Sequence, residues 1–122
     1  MKITRAIREF IEHQVKIKEE QALEPFRNKR EDALKRAREE FEEITNEMNA
    51  MLNNLLRKYG IKESLRVIVP KPEYHLPEAN EYNQKRLNFN DKRKEIIIEI
   101  IAEMELGGTK AELMEKINSI KF

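Results

Sequence analysis

The sequence predicts a mainly α fold. A long kinked N-terminal helix or helical hairpin packs on a C-terminal helix pair, with one short strand or extended connector between. Three observations predict it. From Leu34 to Leu55 the apolar residues Leu34, Ala37, Phe41, Ile44, Met48, Met51 and Leu55 recur in alternating steps of three and four. That is the heptad spacing of a helix packed along its length against another helix. Residues 26 to 59 contain no Gly or Pro, and Gly60 follows them. Charged residues make up 39% of the 122 residues and hydrophobic residues another 39%. The usual charged share is about 25%, so the composition suits long helices bathed in water.

The elements follow in order. Thr4 is placed to cap a first helix over 4–23. Ile3, Ile7, Phe10, Ile11 and Val15 mark one face of it, and Arg5, Arg8, Glu9, Glu12 and Lys16 line the wet side. Pro25 then removes a backbone hydrogen bond and clashes with the preceding turn. Either one long helix kinks near Glu24 or a second helix restarts at Pro25. No Gly, Ser or Asn immediately precedes Pro25, which favours the kink. A helix over 26–59 is roughly 50 Å long at 1.5 Å per residue, against a radius of about 14 Å for a compact domain of this size. Part of it must project or be covered by another chain. Gly60 suits the left-handed residue that ends a helix, and Arg57 and Lys58 favour the negative end of its dipole.

Residues 61–82 form a proline-containing connector between a 1–60 helical arm and an 83–122 helical region. Leu65-Arg66-Val67-Ile68-Val69 is the one strand-like run. It pairs with a copy of itself, offers an edge to a partner, or is a plain extended link. Pro70, Pro72 and Pro77 predict Lys71 to Asn80 extended or turn-like rather than helical. Helix returns over Glu81–Leu87, and Asn90 is placed to cap a further helix. Ile97, Ile100, Ile101 and Met104 form an i, i+3, i+4, i+7 face, with Glu95, Glu99 and Glu103 on the other side. Gly107-Gly108 ends this helix. Thr109 to Glu112 is a capping box that opens a last helix with Leu113, Met114, Ile117 and Ile120 inward. In the expected antiparallel register, Ile97, Ile101 and Met104 meet Met48, Ile44 and Phe41. Lys92, Arg93 and Lys94 then lie near Glu47 and Glu43.

Chemistry is sparsely signalled. Lys+Arg number 24 against 23 for Asp+Glu, a formal net charge of +1, so there is no whole-chain electrostatic case for nucleic acid. Cysteine is absent, which excludes a disulfide framework and thiolate metal sites and suits a cytoplasmic setting. Charges every few residues near the start argue against a signal peptide. The longest apolar run, Ile96 to Met104, is broken by Glu99 and Glu103 and is too short to span a bilayer. His13 lies four residues after Glu9, but no second Glu/His pair completes a bundle-type metal site. His75 has no nucleophile tied to it, and no phosphate-loop or dinucleotide motif occurs. The expectation is no catalytic residue, no metal and no cofactor.

Charge layout says more. Arg27, Lys29, Arg30, Lys35, Arg36 and Arg38 make one stretch basic. Glu39, Glu40, Glu42, Glu43 and Glu47 make the next acidic. The basic turns either contact phosphates or a partner, or form a solvated face with Glu31–Lys35 and Asp32–Arg36 pairs. Phe41 and Met48 at the a positions, with Ala37, Ile44, Met51 and Lys58 at d, suit an irregular antiparallel bundle better than a parallel zipper. Candidate edges for a partner or a second copy are Ile7, Phe10, Ile11, Val67 and Val69.

Two resemblances add to this. Gly108-Thr109-Lys110-Ala111-Glu112-Leu113-Met114-Glu115-Lys116-Ile117 resembles the second helix of the SAP motif, a helix-loop-helix that binds DNA. The loop at Leu106–Gly108 is shorter than that family's, and six glutamates outnumber three lysines from Glu95 to Phe122, a poor match to phosphates. Lys2-Ile3-Thr4-Arg5-Ala6-Ile7-Arg8-Glu9-Phe10-Ile11 is similar to the start of small proteins from phages and prophages of Gram-positive bacteria, which implies a phage accessory protein. The expected role is a non-enzymatic, homo-oligomeric interaction or assembly protein that meets a protein partner and no membrane. The alternative is nucleic-acid binding through the basic turns, the SAP-like helices, or both.

Overall fold

A computed structural model describes residues 1–122. The chain forms α1 (Arg5–Lys58), a 3-10 turn (Pro72–Tyr74), α2 (Pro77–Leu106) and α3 (Lys110–Asn118). No β-strand forms. The chain divides into two units, Met1–Arg27 with Glu81–Phe122, and Asn28–Asn80. Both ends of α1 are capped as the sequence leads one to expect. The Ile7 amide donates to Thr4 Oγ1 at 3.3 Å and the Arg8 amide to the Thr4 carbonyl at 3.0 Å. At the far end Gly60 has φ +70°. Its amide donates to the Arg57 carbonyl at 3.0 Å, and the Ile61 amide to the Leu56 carbonyl at 2.9 Å. That pair of bonds satisfies carbonyls the helix leaves open.

No second helix restarts at Pro25: α1 runs through it, in line with the favoured reading of one long helix. Packing on both sides of the proline explains this. Leu23 is buried with Tyr82 and Phe89, and Ala22, Phe26 and Phe122 pack around them. The Phe26 ring meets Phe89 edge-on at 6.4 Å. These contacts hold the turns before and after Pro25 to one helix, against the roughly 3 kcal/mol a helical proline costs.

In the first unit the start of α1, the second half of α2 and α3 share one core. Ile11 and Val15 are buried with Ile100, Ile101 and Met104 from α2 and Leu113 and Ile117 from α3. Phe89 buried with Leu23, Arg93 paired to Glu19 and Ile101 buried with Ile11 follow one another in antiparallel order. The expected partners of Ile101 and Met104, namely Phe41, Ile44 and Met48, are instead exposed. The shift arises because α2 starts at Pro77, well placed as a first helical residue, and has no break at Asn90. The Asn90 side chain does not cap a helix; its oxygen accepts from Arg93 Nη2 at 2.6 Å. Likewise Arg93 pairs with Glu19 rather than with Glu43 or Glu47.

α3 opens as expected, with Thr109 Oγ1 accepting from the Glu112 amide at 3.3 Å. Leu113 and Ile117 are buried, but Met114 faces outward. Gly108 sits against Met104, where a Cβ would come within 3.0 Å of the buried sulfur.

In the second unit, Asn28–Asn80, the connector lies extended along α1. The Val67 amide donates to Asn49 Oδ1 at 2.7 Å, and Arg38 Nε donates to Glu73 Oε1 at 2.8 Å. Six connector residues thus match eleven residues of helix, about 16 Å at 1.5 Å each. That needs close to 3 Å per connector residue, a nearly extended backbone. The β-branched run is extended but bonds to a helix side chain, not to another strand.

Candidate docking face on the first helix

The heptad seam is where the second unit leaves apolar surface open. Leu34 and Ala37 are half-buried. Beyond them Phe41, Ile44, Met48, Met51 and Leu55 are exposed, from 41% at Phe41 to 73% at Met51. At about 100° per residue these five side chains span an arc of roughly 80° on α1. Five large apolar groups in one stripe form a contiguous patch, which scattered surface leucines do not.

The two borders of the stripe differ. On one side stand Glu40, Glu43 and Glu47, all exposed. They precede Ile44, Met48 and Met51 by about one turn and run parallel to them. No ion pair engages any of the three, and no Lys, Arg or His occurs from Glu39 to Leu56. On the other side lies the connector. Arg38, Phe41, Thr45, Val69 and Pro70 line a cavity of about 340 Å³ there. The Arg38–Glu73 pair closes its end. Glu73's own backbone amide, and then Arg38, hold the Glu73 carboxyl below its usual range. The stability this adds is present above the ordinary carboxylate range and is lost as pH falls through the lowered value.

The six basic candidates do not make one surface. Lys29 and Arg36 project on the side of the helix opposite Arg38 at about 100° per residue. Arg38 is held by Glu73. Arg27 is held by Glu20 at 2.7 Å, an attraction that raises the arginine and lowers the Glu20 carboxyl. Lys29 and Arg30 also have partners within the chain. Lys35 and Arg36 are exposed, and the expected Glu31–Lys35 and Asp32–Arg36 pairs are not closed.

The candidate edges divide. Ile11 is fully buried, so it is core and out of a partner's reach. Ile7 is half-buried and Phe10 exposed; with Met1, Leu113 and Met114 they line a cavity of about 320 Å³. Val67 and Val69 are half-buried, and the Val67 amide is already bonded to Asn49.

One charged constellation lies inside the first unit. Glu19 is 2% exposed and accepts from Lys16 Nζ at 2.8 Å and Arg93 Nη1 at 3.0 Å, while its second oxygen has no partner. The pair joins α1 to α2 inside the first unit. His13 and His75 are exposed. No three His, Cys, Asp or Glu side chains gather as metal ligands, and no helix is long and apolar enough to cross a membrane. No family model, no curated protein and no solved structure matches the chain.

Proposed function

We propose that the chain is a non-enzymatic interaction protein that offers the Phe41–Leu55 face of α1 to a helix of a protein partner. The observation that carries this is the open heptad stripe. Heptad spacing selects a helical partner, because each exposed side chain then fits between four residues of a facing helix. The face is held on a regular helix and not on a loop, so it is presented in one geometry without a partner to order it. The likeness of residues 2–11 to phage proteins supports a phage accessory setting.

The test uses a panel of helical peptides with apolar residues at heptad spacing and varied flanking charge. At least one should bind the chain in a fluorescence anisotropy titration, and the Ile44→Asp/Met48→Asp variant should bind none while unfolding at the same temperature. Undiminished binding by that variant would contradict the reading. The alternative, nucleic-acid binding through residues 27–38, has less support. Arg27 and Arg38 are already held by carboxylates, and the remaining cations point around the helix.

A further inference from the structure

We propose that the occupant of the Phe41–Leu55 stripe is a basic amphipathic helix of another protein, its cations lying along Glu40, Glu43 and Glu47. The inference rests on the docking reading above and names the partner's chemistry. Its first support is the acidic border. Three exposed carboxylates run beside the stripe with no intrachain cation. Binding an apolar helix brings this row to the rim of an interface, where the dielectric falls and charge complementarity selects partners. A helix with Lys or Arg on that flank is attracted, and an acidic one is repelled.

The second support is what the same charges do to a second copy. In parallel register, Glu39, Glu40, Glu42, Glu43 and Glu47 of both copies fall within the same stretch, about 12 Å at 1.5 Å per residue. In antiparallel register centred on the stripe, the two Glu47 residues lie only two residues apart along the axis, about 3 Å. Like charges at such positions disfavour pairing. The connector, tied at Asn49 and Arg38, also occupies the opposite flank, so a partner helix meets the open row of Glu40, Glu43 and Glu47 on the flank the connector leaves free. The third support is side-chain character. Met48 and Met51 sit in the middle of the stripe, and flexible thioethers adapt to varied apolar partners. The stripe covers fifteen residues, so a helix of about four turns spans it.

Two synthetic helical peptides test this. They carry the same apolar heptad, one with lysines and one with glutamates on the flanks. Each is titrated against the wild-type chain, Glu40→Lys/Glu43→Lys/Glu47→Lys, and Ile44→Asp/Met48→Asp, with melting curves confirming that all three fold. The lysine peptide should bind the wild type about tenfold more tightly or better at low salt, as three weak ion pairs would give. Added salt should shrink the gap, the Glu-to-Lys variant should reverse the preference, and the Ile44/Met48 variant should bind neither. Equal affinity for both peptides, with both lost in the Ile44/Met48 variant, would overturn the basic-helix inference and leave the docking reading standing. Retention of the lysine peptide by the Ile44/Met48 variant would overturn both. A two-chain mass by light scattering that Ile44→Asp/Met48→Asp reduces to one chain would assign the face to a second copy and overturn the inference.

Discussion

Ile11→Ala is expected to lower the unfolding free energy by about 2–5 kcal/mol, whereas Met51→Ala should change it by less than about 0.5 kcal/mol. The contrast follows from position. Ile11 is fully buried and packs in one core with side chains of α1, α2 and α3. Cutting it to alanine removes buried carbon and leaves a cavity that three helices would have to move together to close, and each Å³ left open costs about 24 cal/mol. Met51 is 73% exposed, so shortening it removes little buried contact. Urea titrations followed by circular dichroism measure both. Equal effects would mean that the seam is buried as fully as the start of α1.

Removing one buried charge should cost almost as much. Glu19→Ala is expected to destabilise by about 2–4 kcal/mol, below the 3–5 kcal/mol typical of a fully buried pair. The discount reflects its partners, since Arg93 is 20% and Lys16 50% exposed at the side chain. The double change Glu19→Leu/Arg93→Met should recover most of the loss, because a buried pair replaced by apolar groups of similar volume is often neutral or better. Chemical denaturation of Glu19→Leu, Arg93→Met and the double variant measures the coupling. Additive losses would show that the two residues stabilise the fold independently of their contact.

These two sites also show which parts of the fold were legible in the sequence. Capping chemistry is local, so Thr4, Gly60 and Thr109 took the roles their residue types suggest. Helical content was legible for the same reason. Which helix faces meet is a long-range matter, and there the heptad seam misled. A strong apolar period says that a face can be buried, not that this chain buries it. Pro25 by itself left one long helix or a restart open, and packing selects the single helix, with Leu23 and Phe26 packed on either side of it. Asn90 has the residue type of a cap, yet α2 runs through it.

The register itself had left a trace. Ile11, Val15, Glu19 and Leu23 form an i+4 row, and so do Phe89, Arg93, Ile97 and Ile101. Each row is apolar except for one charge, and the two charges are opposite. A lone charge on a core stripe needs a partner, and matching the two sets the register seen. The acidic border of the seam was legible as composition. Its meaning as a border appeared only once the seam proved open and the connector was tied down on the far side.

The central claim, that the seam is open while the start of α1 is core, is most directly checked by the chain's own methionines. Thioether oxidation by dilute peroxide reports exposure, and mass spectrometry resolves each site. In the free chain Met51 and Met48 should oxidise fast and Met104, which is 1% exposed, should oxidise slowly. Adding the lysine-flanked helix should protect Met48 and Met51 and leave the exposed Met114 of the first unit unchanged. Met48 and Met51 protected as fully as Met104 in the free chain would contradict the account.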